Sequence, residues 1–170
     1  MKKILFFILV LSGFTLISQA QIAFVDTKFI LNKIPDYQDS LGKLNYLSAL
    51  WQKEIDDKQV VLDRLYKDFE KDEPMLSDEV KKKRTDQIFN SEKEIRDLQR
   101  MRFGFQGDLF KKRQELVKPL EDKVNAAMKT TAIRLGFSIV LDKSEGITVM
   151  YARPGLDITS QVQKEMTGGN

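Results

Sequence analysis

The sequence predicts a mostly helical α+β protein, a long antiparallel helical hairpin on a small β-body, working as an oligomer. Three observations carry this. A charged tract from Tyr37 to Leu135 repeats apolar residues at spacings of three and four, the period of one helix face. The tract folds back at Glu73-Pro74-Met75-Leu76-Ser77. The segments before and after it are short, apolar and strand-like.

In the first half of the tract the stripe is Leu44, Leu47, Trp51, Ile55, Leu62, Leu65 and Phe69, with Lys58 inside it. A slip between Trp51 and Ile55 makes an eleven-residue unit. The second half repeats the pattern at Ile88, Ile95, Leu98, Phe105, Leu109 and Leu116, then Leu120, Val124, Met128 and Leu135. Two such stripes bury against each other. Pro74 lacks the N–H that a helix interior needs, while Ser77 before Asp78 and Glu79 is a good cap and first turn, so the tip lies near 73–77. At about 1.5 Å per residue the first helix is roughly 50–55 Å long and the second, if continuous to Leu135, nearly 90 Å. The second helix therefore overshoots its partner and must pack on something else.

Residues 1–20 read as a signal peptide: Lys2 and Lys3, then an uncharged and mostly apolar run from Ile4 to Ile17, then the small residues of Ser18-Gln19-Ala20. The run is short for a membrane span, and no Cys near the cut offers a lipid anchor. Cleavage of this segment would leave an exported mature chain. The whole chain holds 28 Lys and Arg against 25 Asp and Glu; Lys2 and Lys3 leave with the signal, so 26 face 25. That balance gives no strong general attraction to nucleic acid.

With no Cys and no His, disulfides, thiol catalysis, His triads and the usual zinc sites are excluded. Carboxylate chemistry stays formally open, but a thin arm leaves little material for a pocket. The chain reads as a protein without enzymatic activity or cofactor.

The β-body is expected from residues 21–36 and 136–170, with the arm at 37–135. Ile22-Ala23-Phe24-Val25 is a strand, followed by a short helix or turn from Thr27 to Ile34. Ser138 to Asp142 and Ile147 to Tyr151 are two further strands joined by a hairpin-like Lys143-Ser144-Glu145-Gly146. A short C-terminal helix follows, capped by Asp157 or Thr159, with Ile158, Val162 and Met166 on one face. So small a sheet is marginal alone, which implies pairing with further copies. Ile22, Phe24, Val124, Met128, Leu135, Ile139, Leu141, Ile147 and Val149 are the candidates for that shared core.

Some apolar residues fall outside the seam. Phe89, Phe103 and Phe110 share a heptad position roughly opposite Phe105, with Met101 on the flank. Several large apolar residues on one helix face suggest a contact surface, for another subunit or for an apolar client. Gly104 and Gly107 interrupt the same helix and Pro119 bends it. Charge is uneven as well: Lys81-Lys82-Lys83-Arg84 follows the tip, and from Lys93 to Arg113 seven basic residues face three acidic ones. This is a solvated face, or a surface attracted weakly to anionic lipid or to acidic client segments.

An exported chain with the strand Ile22-Ala23-Phe24-Val25-Asp26, a long charged helical hairpin, the strand Ser138 to Asp142 and Asp157-Ile158-Thr159 before a short helix resembles the Skp/OmpH family of periplasmic chaperones. The resemblance implies a homotrimer with a small β-body and three helical arms. It implies that unfolded outer-membrane β-barrel proteins are held between the arms, without ATP, on their way to the outer membrane. Phe89, Met101, Phe103 and Phe110 are then the candidate client contacts. The near-neutral mature charge departs from the markedly basic character of well-known members, and no lipopolysaccharide site is carried over. Two other classes fit the pattern: a structural coiled-coil protein of the cell envelope with a fixed partner, and a nucleic-acid-binding hairpin using Lys81 to Arg84, against which export and charge both argue.

Overall fold

The computed structural model describes residues 21–146 and 148–168; the expected signal segment at 1–20 and Ile147 lie outside the described residues. The architecture is α+β and dominated by helices. In chain order the elements are β1 (Ile22–Val25), α1 (Thr27–Asn32), α2 (Pro35–Asp72), a 3-10 turn (Glu73–Met75), α3 (Asp78–Phe103), α4 (Asp108–Leu116), α5 (Lys118–Leu135), β2 (Ile139–Asp142) and α6 (Thr159–Met166). Two compact units are distinguished: Phe29–Val124, and the segment ending at Lys28 together with the chain from Asn125 onward.

Helices α2 and α3 make up most of the first unit. Pro35 occupies the first turn of α2, where a missing N–H costs nothing, and Asp36 and Lys71 sit at the ends that suit the helix dipole. Past Asp72 the chain turns through Glu73-Pro74-Met75, and the hydroxyl of Ser77 accepts from the Val80 N–H to start α3. The seam between the two helices is one apolar cluster of Ile55, Leu62, Ile88, Ile95 and Leu98, with Leu65 and Phe69 packed against it. Lys58 pairs with Glu94 at 3.3 Å, Arg84 with Asp72 at 2.9 Å, and the Tyr66 hydroxyl donates to Glu92. These exposed groups fix the register of the pair more than they stabilise it.

The second long helix is not continuous. It stops at Phe103, resumes at Asp108, and is interrupted again at Val117. At the first break Gly104 and Gly107 hold the backbone so tightly that a Cβ would meet the Arg100 carbonyl oxygen at 2.3 Å and the Met101 carbonyl oxygen at 2.8 Å. Gln106, between them, has a φ of 55°. Phe105 consequently leaves the seam, where its spacing had placed it, and is 96% exposed. At the second break Pro119 in the first turn of α5 has no N–H to donate back into α4. The Ser40 hydroxyl donates to the Asp36 carbonyl at 2.7 Å and the Leu116 carbonyl at 3.3 Å, tying the end of α4 to α2.

In the second unit β1 and β2 run parallel, with Ile22 opposite Ile139 and Phe24 opposite Leu141. On its other edge β1 meets the chain before α6: the Phe24 N–H donates to Leu156 at 2.7 Å and the Ile158 N–H to Phe24 at 2.8 Å. The strand expected at Ile147 to Tyr151 does not form, since residues 148–151 are outside any strand. The hairpin is pre-empted locally. The Asp142 carboxylate accepts from the Ser144 N–H at 2.9 Å and from the Thr27 hydroxyl, a side-chain turn that replaces the ladder. Helix α6 begins after Ile158, with the Asp157 carboxylate accepting from the Thr159 N–H at 3.0 Å, and it buries Val162 beside the fully enclosed Ile158.

Candidate functional site

The apolar residues that no seam consumes define the site. Phe89, Met101, Phe103 and Phe110 are all exposed, Phe89 to 58%. With the α2–α3 seam filled by other side chains, their exposure is not required by the hairpin itself.

The helix break organises part of this surface. Phe103 packs edge-on against Trp51 of α2, ring centroids 6.4 Å apart and planes at 78°. The Arg102 guanidinium lies 5.1 Å from the Trp51 ring and reaches Asp108 at 2.7 Å and Glu54 at 3.1 Å. Asp108 first, then Glu54, hold that guanidinium still more firmly charged, against the opposing effect of burial. Arg102 thereby joins α2, α3 and the start of α4 at the point where the helix is interrupted.

Beside this junction is an open cleft of about 500 Å³, lined by Leu41, Leu44, Asn45 and Ser48 of α2 and by Phe103, Gly104, Phe105, Gln106, Leu109, Phe110 and Arg113 across from them. Phe103 and Phe110 thus share one cleft. Phe89 and Met101 do not line it. Phe105, placed in the seam by its spacing, belongs to the site, and the two glycines flanking it were the available signal. Tyr46, Leu50, Val60 and Val61 of α2 are also exposed and had not been singled out; they fall between the seam positions.

The residues expected in an oligomer core are distributed unevenly. In the parallel register Ile22 and Ile139 face each other across β1 and β2 and are 40% and 45% exposed, whereas Ala23 and Val25 on the opposite face are buried. Phe24, Met128, Leu141 and Val149 are half-buried, and Leu135 is exposed. Val124 is buried within its own chain. Ile147 lies outside the described residues.

Two carboxylates brace the second unit. Burial opposes ionisation of Asp142, but hydrogen bonds from Thr27 and Ser144 outweigh it and hold its pKa below the ordinary value. For Asp157 burial is likewise outweighed, here by Lys143 at 2.7 Å and by Thr159, so its pKa is also low. Among the described residues no group of side chains is arranged to hold a metal ion, and no helix is long and apolar enough to cross a membrane.

Residues 21–166 match the family described as Outer membrane protein (OmpH-like). A crystal structure from Caulobacter crescentus CB15, designated a candidate OmpH-like outer membrane chaperone, has a similar fold, with a TM-score of 0.63 at 13% identity over 89% of this chain and 86% of that one. No curated protein matches the chain. The chain therefore belongs to the OmpH-like family of outer membrane proteins.

Proposed function

We propose that this protein is an ATP-independent periplasmic holdase chaperone, which binds unfolded outer-membrane β-barrel proteins and keeps them from aggregating on their way to the outer membrane. The observation that carries this reading is the set of exposed aromatic and Met side chains, Phe89, Met101, Phe103, Phe105 and Phe110, on a hairpin whose own seam is already filled. Membership of the OmpH-like family and the chaperone designation of the Caulobacter protein support it.

A chaperone without nucleotide must hold many chains weakly and release them when a folded barrel in the membrane offers a better state. Dispersed Phe and Met make contacts that tolerate varied sequences, and Lys and Arg among them add attraction that salt screens. The working form in this reading is a homotrimer. The exposed sheet face around Ile22 and Ile139 supplies apolar surface for the contact between copies. Contact with anionic lipid is weak, through Lys81 to Lys83, and no enzymatic activity, cofactor or nucleic acid takes part.

The test is light scattering of an unfolded outer-membrane barrel protein diluted from urea. Scattering falls when the mature chain is present without ATP, and stays high with an equal mass of an unrelated coiled coil. Undiminished scattering with a folded, oligomeric chain would move the function to a structural role in the envelope.

A further inference from the structure

Resting on the holdase reading, we propose that the cleft beside Gly104–Gly107 is a defined docking point within it, and that it takes an aromatic side chain carried in an acidic stretch of an unfolded chain. The cleft exists because the helix is broken. A continuous helix would return Phe105 to the seam; the Gly-Phe-Gln-Gly turn instead sets it at the lip of the cleft, almost wholly in water. The turn is closely packed: Gly107 N–H donates to the Gly104 carbonyl at 2.8 Å, and neither glycine has room for a Cβ. Phe105 is thus held out by a shaped backbone. An aromatic side chain so displayed gains from burial only when a partner arrives.

The opposite walls are apolar and supported. Leu41 and Leu44 come from α2, and Phe103 is backed by Trp51 and Arg102. The open cleft, about 500 Å³, falls within the range of about 300–1,000 Å³ typical of ligand-binding clefts. Asn45, Ser48 and Gln106 supply polar atoms suited to the backbone of an extended peptide.

Charge selects among apolar partners. Arg113 is the one charged side chain lining the cleft, and no carboxylate lines it. Arg113 pairs with Glu121 at 3.2 Å in an exposed contact that water already loosens. Of the seven basic residues from Lys93 to Arg113, Arg96, Arg100, Arg102, Lys112 and Arg113 each pair with a carboxylate, so the charge offered at the cleft itself is that of Arg113. A segment bearing Asp or Glu beside its aromatic residue is drawn here, and one bearing Lys is repelled.

The experiment uses the full mature chain and three short labelled peptides: a central Phe flanked by Asp, the same Phe flanked by Lys, and Ala in place of Phe flanked by Asp. Binding is read by anisotropy and by the emission of Trp51, the only tryptophan in the chain. The Asp-flanked Phe peptide binds and shifts Trp51 emission, and the other two bind at least about tenfold more weakly. Phe105→Ser weakens the first peptide about tenfold, and Arg113→Gln reduces the preference for Asp over Lys. Because Phe105 makes almost no contact with its own chain, its replacement leaves the fold intact, checked by circular dichroism.

Equal binding by Phe105→Ser, or no preference for Phe over Ala, overturns the proposal. So does a fall in subunit number on Phe105→Ser in sedimentation, which would put a second copy in the cleft. The scattering assay separates the two readings. Protection by the wild type that Phe105→Ser leaves undiminished, with no peptide discrimination, removes the cleft and keeps the holdase; a wild type without protection removes the holdase itself.

Discussion

A Cβ placed on Gly104 would stand 2.3 Å from the carbonyl oxygen of Arg100, a backbone atom that no rotamer change can move aside. The backbone at the helix break therefore requires glycine here, as it does at Gly107. Gly104→Ala forces the backbone to shift and costs about 1–3 kcal/mol, read as a lower urea midpoint. A more stable variant would mean that the helix runs on through residue 104.

Arg102 closes the same junction from the side. Arg102→Met removes the pairs with Glu54 and Asp108 and the cation over Trp51, with an expected loss of about 1–3 kcal/mol. Trp51 emission moves to the red as its packing loosens. An unchanged spectrum and midpoint would show that Phe103 alone holds Trp51.

Legibility followed how local the physics was. Pro74 and Ser77 act within a few residues of themselves, through a missing N–H and a cap, so the turn between α2 and α3 could be read from the chain. The seam was readable for the same reason, because its residues recur at one spacing. Phe105 was not: its spacing put it in the seam, and only the crowding of Gly104 and Gly107 against backbone oxygens removes it. The pairing of β2 was also hidden. Strand propensity marked Ile139–Asp142, but a parallel partner more than a hundred residues away and the turn made by Asp142, Ser144 and Thr27 are long-range facts. At the site, exposure of Phe89, Met101 and Phe110 followed from helical phase, while the cleft that unites Phe103 with Phe110 needed the break.

The seam supplies the stability of the hairpin. Ile55→Ala deletes a side chain packed in the Ile88, Ile95 and Leu98 cluster and costs about 2–4 kcal/mol, checked by chemical denaturation. A loss below about 1 kcal/mol would mean that the cluster collapses around the gap.

Acid should loosen the second unit. Asp142 and Asp157 both have folded pKa values below the ordinary 3.8, so each favours the folded state when ionised. Their contribution is fully present above about pH 5 and is lost as the pH falls below 3.8 through the folded values. In Asp142→Asn the acid dependence shrinks, and the variant is less stable than the wild type at pH 7. A wild-type stability that is flat from pH 5 to about pH 2 would contradict the bracing role.

The most direct test of the account replaces the exposed side chains and leaves the seam alone. Scattering of an unfolded outer-membrane barrel protein is followed with equal amounts of the mature chain and of its Phe89→Ser, Met101→Ser, Phe110→Ser variant, after circular dichroism and sedimentation have shown that helix content and subunit number are unchanged. The account predicts that the wild type suppresses scattering without ATP and that the triple variant loses most of that protection. Full protection by the triple variant would contradict it and place client binding elsewhere on the chain.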